Sequence, residues 1–246
     1  MAEFRHYILT RFNTGLYGPN PWTKTDPRVW MDHRMKLFTT ITLPSMAAQS
    51  CQNFTWLVLM DRQTPEPYVK ELERVACPAM KLIFRDPDQP RWQRSSEPGR
   101  YDLITTRIDN DDAFHRDTVK DIQHAWRTRD EGQAKPWLIV FPFGLILNLV
   151  DRRMWVMEYW FNNCPTLVED SENCGTVYRW QHSEIPGNVP RLCIKSKPYW
   201  LQVVHSQNVL NAVETNNPLR IVHKELPAAI EHLEQFGIDP AALPEF

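Results

Sequence analysis

Glycine is scarce in this chain, with eight residues in 246. That scarcity excludes a Gly-rich phosphate loop, and neither GxGxxG nor GxxxxGK[ST] occurs. A phosphate bound here has to be held by side chains or by a metal. Paired cysteine motifs are missing as well. Cys51, Cys77, Cys164, Cys174 and Cys193 form no CxxC and are odd in number, and the first residues, MAEFRHYILTRF, lack the basic-then-apolar layout of a signal peptide. Both features predict a reduced, cytoplasmic protein. No excess of basic charge exists, since the formal net charge is -2 and the pI about 6.4, so no nucleic-acid partner is expected. Long apolar runs are also lacking. The best candidate, residues 137–150, is broken by Pro142 and Gly144 and falls short of the ~20 residues that span a bilayer. No transmembrane segment is expected, which leaves room only for peripheral membrane contact.

What is present centres on Tyr101 to Phe114, YDLITTRIDNDDAF, where a β-branched apolar run ends in Asp109, Asn110, Asp111 and Asp112. The run predicts a buried strand, and the polar residues fall on the loop at its carboxyl end, the edge of an open α/β sheet where ligands bind. Asp109 and Asp111 are two apart. If the backbone stays extended they point the same way and offer hard oxygen ligands to one Mg²⁺ or Mn²⁺, which in turn would hold a diphosphate. Turn formation is the plainer alternative, with Asp112 as N-cap of a helix from Phe114. An EF-hand is excluded, because the fifth and sixth positions from Asp109 are Ala113 and Phe114.

Along the chain, Phe4 to Arg11 predicts a first strand, whose exit residues Thr10, Arg11 and Asn13 are candidate nucleotide contacts. Residues 28–42 carry apolar residues at helical spacing, and Pro44 is expected to end or kink that helix. Its Arg34 could reach a phosphate or lie in solvent. Phe54 to Met60, ended by Asp61, and Met80 to Arg85 predict two further strands, with a helix through Val69, Leu72 and Val75 between them. Strands alternating with helices imply a parallel sheet flanked by helices. After the acidic loop a helix is expected over Phe114 to Trp126, then two strands around Pro142 and Gly144. The aromatic run Met154 to Phe161 follows, as core or as a platform for a sugar ring. The strand Thr166 to Asp170 ends in Glu169 and Asp170, either of which could act as a general base or cap a helix at Ser171. His205 follows the strand Tyr199 to Val204, where it could add a nitrogen donor to a carboxylate pair or serve structurally.

FRHYILTRFN, TLPSMAAQSCQNFTWLVLMD, TTRIDNDDAF and PYWLQVVHSQN together resemble the rhamnosyltransferase family, which is similar to the GT-A glycosyltransferases, over roughly residues 4 to 210. The resemblance implies that Asp109 to Asp111 is the DxD that binds metal and donor diphosphate. It also implies that Glu169 and Asp170 are the ED pair supplying the base, with Asp170 the first choice. His205 then is a metal-binding histidine, and Asp61 meets the nucleotide base. Arg107 joins Thr10, Arg11, Asp61 and Asp109 as a donor contact. Whether Asp111 or Asp112 is the main metal ligand stays open.

These readings give a GT-A-like α/β fold with a Rossmann-type, mostly parallel sheet flanked by helices. A single domain over 1–246 is expected, divided into a donor-binding half (1–112), an acceptor and catalytic half (113–215) and a C-terminal helical tail (216–246). The expected activity is Mn²⁺- or Mg²⁺-dependent transfer of a sugar, rhamnose being the one the family name suggests. The donor would be a nucleotide-diphosphate sugar and the acceptor a hydroxyl, on a glycan or otherwise, with inversion if a carboxylate base activates that hydroxyl directly. Nucleotidyl transfer and non-catalytic carbohydrate binding are the alternatives.

Overall fold

The computed structural model describes residues 3–18, 21–86, 99–130, 132–162, 164–181, 184–207, 213, 218–226 and 229–245. Pro87, Pro90, Pro98, His182 and Asn208 lie outside them. In chain order the elements are β1 (Phe4–Arg11), α1 (Pro27–Leu37), α2 (Leu43–Ala47), β2 (Thr55–Asp61), α3 (Glu66–Val75), β3 (Met80–Arg85) and β4 (Asp102–Arg107). Then come β5 (Ala113–Phe114), α4 (Thr118–Arg127), β6 (Trp137–Val140), β7 (Phe143–Asn148), β8 (Arg153–Tyr159) and β9 (Thr166–Asp170). The remainder are β10 (Arg191–Cys193), β11 (Trp200–Val204), β12 (Arg220–Glu225) and α5 (Ala229–Glu234).

Seven strands form the main sheet in the order β10-β6-β9-β4-β1-β2-β3. The pairs β10/β6, β4/β1, β1/β2 and β2/β3 are parallel, and β9 runs antiparallel between β4 and β6. Side chains alternate across these strands, so both faces are covered. Ile8, Trp56, Val58, Met60 and Ile104 join the larger core, while Leu9, Leu59, Leu138 and Leu167 pack against Val177 and Tyr178 on the other face. From β1 the chain crosses to β2 on one side, whereas β4 adds on the other. The resulting switch point places a crevice at the carboxyl ends of β1 and β4. The expected mostly parallel sheet is thus present.

A second sheet was not foreseen. Its order is β12-β8-β7-β11-β5, and only β7/β11 is a parallel pair. The two strands read around Pro142 exist, but Phe141 and Pro142 carry the chain from the main sheet into the second one. Gly144 is required at that point. A Cβ there would lie 2.1 Å from the indole of Trp200, which is buried on the neighbouring strand. Part of the expected helical tail, Arg220 to Glu225, is likewise a strand, the edge β12.

Pro44 does not end its helix. The chain continues through five π-helical residues, Phe38 to Thr42, into α2, and the Leu43 N–H bonds the Phe38 carbonyl five residues back. Pro44 explains this, because it has no N–H for the Thr40 carbonyl and its ring would strike that carbonyl in a regular turn. This helical unit is wedged between two cores. Met31, Met35 and Phe38 pack with the main-sheet cluster, and Leu37 and Ile41 pack with Leu145 and Leu201 of the second sheet. Two-sided burial accounts for a further finding: His33 and Arg34, polar and adjacent, are both buried on α1.

Candidate functional site

The crevice between β1 and β4 is closed below by Ile108 N–H bonding the Leu9 carbonyl at 3.2 Å and by Asn110 Nδ2 donating to the Phe12 carbonyl at 2.8 Å. Above this floor the acidic loop turns instead of remaining extended. Asp109 and Asp111 therefore diverge. Asp109 accepts Nε and Nη2 of Arg107, both at 3.0 Å, in a forked pair. Asp111 faces inward, where its Oδ2 accepts Arg34 Nη1 and the His205 Nε2–H at 3.0 Å.

His205 is in turn bonded through Nδ1 to His33 Nε2 at 2.9 Å, and the Gln207 N–H also donates to Nδ1 at 3.2 Å. An acceptor at Nδ1 fixes the proton on Nε2, where it faces Asp111. Burial pushes the His33 imidazole down to about 4, helped by the neighbouring His205 and Arg34, so His33 is neutral near pH 7. Burial alone would raise the Asp111 carboxyl, but Arg34 and the His205 bond outweigh it and hold it below the usual carboxylate range. Arg34 also reaches Asn110 Oδ1 at 3.1 Å, while its Nε is buried with no partner. Thus Arg34 is not a solvated arginine.

Asp112 does not cap a helix, since α4 begins only at Thr118. Its Oδ1 accepts the Val203 N–H of β11 at 3.1 Å, which ties the acidic loop to the second sheet. Its charge acts on Arg220 of β12, whose Nη2 donates to Gln202 Oε1 at 2.9 Å.

On the β1 side, Arg11 sits over the Tyr178 ring, with 4.9 Å to its centroid, and Arg107 lies 5.9 Å from the same ring. Tyr178 donates its hydroxyl to the Leu9 carbonyl at 3.2 Å, and burial pushes that phenol up to about 12. Nothing in the sequence marked Tyr178 or His33, whose roles depend on chain segments that meet only in the fold. Thr10 points into the core. Its hydroxyl is fully buried and accepts Trp56 Nε1 at 2.9 Å, a contact inside the core. Asn13 is buried too, bonding Thr64 and the Asp61 N–H. Asp61 ends β2 at the expected edge, but its carboxylate accepts the N–H groups of Gly15, Tyr17 and Gln63. It therefore holds the Asn13 to Tyr17 turn, in which Gly15 takes a positive φ of 79°.

Glu169 and Asp170 are not brought to the crevice. In the antiparallel β4/β9 register Asp170 faces Asp102 and Glu169 faces Leu103, at the start of β4. At ~3.3 Å per residue this places them roughly 20 Å from the acidic loop, at the opposite edge of the sheet. Parallel strands would have put both carboxyl ends together, but β9 runs the other way. Asp170 caps the turn at Ser171 by accepting the Glu172 N–H at 3.1 Å, and Arg100 lies 3.3 Å away. The Glu172 N–H, ahead of Arg100, draws its carboxyl below the ordinary value. Glu169 is buried, accepts the Thr176 N–H at 2.7 Å and pairs with Arg179 at 2.8 Å.

The expected Mn²⁺ or Mg²⁺ requires converging oxygens. Asp109 is forked onto Arg107, Asp111 is bonded by Arg34 and His205, and Asp112 is turned to β11. Among the described residues, no three His, Cys, Asp or Glu side chains stand together in a way that could hold a metal ion. As placed, these residues do not fit one.

Among solved structures, the chain is similar to S. aureus TarS 1–349 in complex with UDP, with 12% identity, TM-score 0.42 and coverage of 82% of this chain and 60% of that one. The same protein in complex with UDP-GlcNAc gives 10% identity, TM-score 0.43 and coverage of 84% and 60%. Full S. aureus TarS gives 12% identity, TM-score 0.41 and coverage of 82% and 37%. The chain thus spans about 60% of the length of the first of these structures. No curated protein matches it. No helix among the described residues is long and apolar enough to cross a membrane. Residues 26–217, most of the chain, match the family described as putative rhamnosyl transferase, so the chain belongs to that family of glycosyltransferases.

Proposed function

We infer that the crevice at the β1/β4 switch point binds a nucleotide-diphosphate sugar and that the protein transfers the sugar, rhamnose being the first to assay, to a hydroxyl of a glycan acceptor. The observation that carries this reading is the gathering of Arg11, Arg107 and the Arg34–Asp111–His205 cluster at that crevice, in a chain of this family. In the transfer, the bond from the anomeric carbon to the diphosphate oxygen breaks and a bond to the acceptor oxygen forms. The acceptor proton passes to solvent water, and the bonding electron pair leaves with the diphosphate, where negative charge collects. Arg11 and Arg107, both beside the Tyr178 ring, are preorganised to meet that charge. Cysteines that form no disulfide among the described residues support a reducing cytoplasmic setting.

The test is release of nucleoside diphosphate from uridine, thymidine and guanosine diphosphate rhamnose, beside thermal shifts with the corresponding nucleoside diphosphates. A ligand at 100 times its Kd stabilises a fold by about 2.7 kcal/mol. A protein that neither releases diphosphate nor shows a shift with any of them is not this transferase.

A further inference from the structure

Two carboxylates of the acidic loop are each matched by an arginine. Asp109 is forked onto Arg107 and Asp111 is bonded by Arg34, while Asp112 accepts the Val203 N–H. The two cations come from different elements, β4 and α1. A loop bearing three uncompensated carboxylates would recruit a dication, but here the two that were expected to share one already hold a cation each. Arg34 is central to that balance. Its side chain is 8% exposed, as is that of Asp111, so neither charge is screened by water, and Asn110 and His205 hold the pair from both sides. A metal could reach Asp111 only by displacing Arg34, leaving a buried guanidinium unpaired.

We propose that Arg34 is a built-in counter-cation which takes the place of a divalent metal at the acidic loop, so that the donor's diphosphate binds without metal. This rests on the reading of the crevice as a nucleotide-diphosphate site, and it makes Arg34 a positioning residue. Its Nε, buried with no partner, leaves that guanidinium one donor not committed to the loop.

The experiment measures Kd for UDP, dTDP and GDP by calorimetry and thermal shift, in Mn²⁺ and in excess EDTA. The wild-type chain should bind one of them equally, within about twofold, in both. Arg34→Met should weaken binding in EDTA about 10-fold or more, with Mn²⁺ restoring part of it, because an uncompensated Asp111 then invites a dication. Arg34→Lys should retain most of the binding. Arg34→Met combined with Asp111→Asn removes both charges and should regain metal independence, which also keeps the test decisive if Arg34→Met alone does not fold. Wild-type binding that disappears in EDTA and returns with Mn²⁺ overturns the inference while leaving the donor reading intact. Arg34→Met binding with an unchanged Kd in EDTA also overturns it. No binding of any nucleoside diphosphate under either condition overturns the donor reading and the inference with it.

Discussion

Replacing Glu169 and Asp170 one at a time separates two roles that sequence adjacency makes look alike. Glu169 is 1% exposed, and its carboxylate serves Gly175 N–H, Thr176 N–H and Arg179. Hydrogen bonds to a charged group contribute about 1.5–3 kcal/mol, and a buried donor left without its acceptor costs about 1–3 kcal/mol. Two backbone donors are stranded in Glu169→Ala. Allowing for partial relaxation and for the half-exposed Arg179, the variant should lose about 3 kcal/mol. Asp170 has a side chain that is 28% exposed, and its Arg100 partner is 73% exposed. Asp170→Asn keeps an oxygen for the Glu172 N–H, so it should lose under about 1 kcal/mol. Urea denaturation gives both numbers from the midpoint at constant slope. Sugar transfer is the second readout. Because Asp170 stands at the far edge of the sheet, Asp170→Asn should keep kcat within a few-fold of wild type. A fall of about 10²–10⁴ in kcat with stability and donor Kd unchanged would identify Asp170 as the general base and refute the placement argued from the β4/β9 register.

Three further outcomes are expected. Gly144→Ala should destabilise by about 3 kcal/mol in the same urea assay, since the Trp200 indole that a Cβ would strike is pinned by its Nε1 bond to the Phe141 carbonyl. Tyr178→Phe should cost about 1 kcal/mol for its hydroxyl bond, whereas Tyr178→Ala, which removes the ring beneath Arg11 and Arg107, should also weaken nucleoside diphosphate binding about 10-fold by calorimetry. Acid should destabilise the fold early. Burial takes His6 down to about 3 and His33 to about 4, so below pH 6.5 the unfolded chain gains protons that the folded one refuses, and stability falls with pH down to those values. Each histidine contributes at most ~1.4 kcal/mol per pH unit. A melting temperature that is flat from pH 7 to pH 5 would contradict this.

The strands of the main sheet were legible because their apolar runs are β-branched and bounded by polar exits: β3 starts and stops at the expected residues, and β1 matches Phe4 to Arg11. Asp111 and His205, each read from its place shortly after a strand, do meet in the fold, through a hydrogen bond of 3.0 Å. What escaped was direction and partnership. Nothing in TLVED states that β9 runs antiparallel, and that one fact moves Glu169 and Asp170 to the other edge. The helix expected from Phe114 starts at Thr118 because Ala113 and Phe114 pair with β11, a long-range contact that overrides local periodicity. His33 carried no signal, because a polar residue on a helix is ordinarily outside. It is buried here because that helix has a core on each side.

The wide turn ahead of Pro44 has a consequence for helical phase. One extra residue in a turn rotates everything downstream by about 100° relative to an unbroken α-helix. Upstream of the slip, the helix is phased so that Arg34 meets Asp111 and Leu37 meets the second sheet. Downstream, Leu43 and Met46 enter the main-sheet core, and the backbone passes close under Gly237, where a Cβ would lie 2.3 Å from that of Ala48. The two halves keep different appointments that no regular helix could keep together. Deleting Thr40 would set the Pro44 ring against the carbonyl of Thr39 and ruin the fit, either swinging Leu43 and Met46 away from their pockets or turning Arg34 off Asp111.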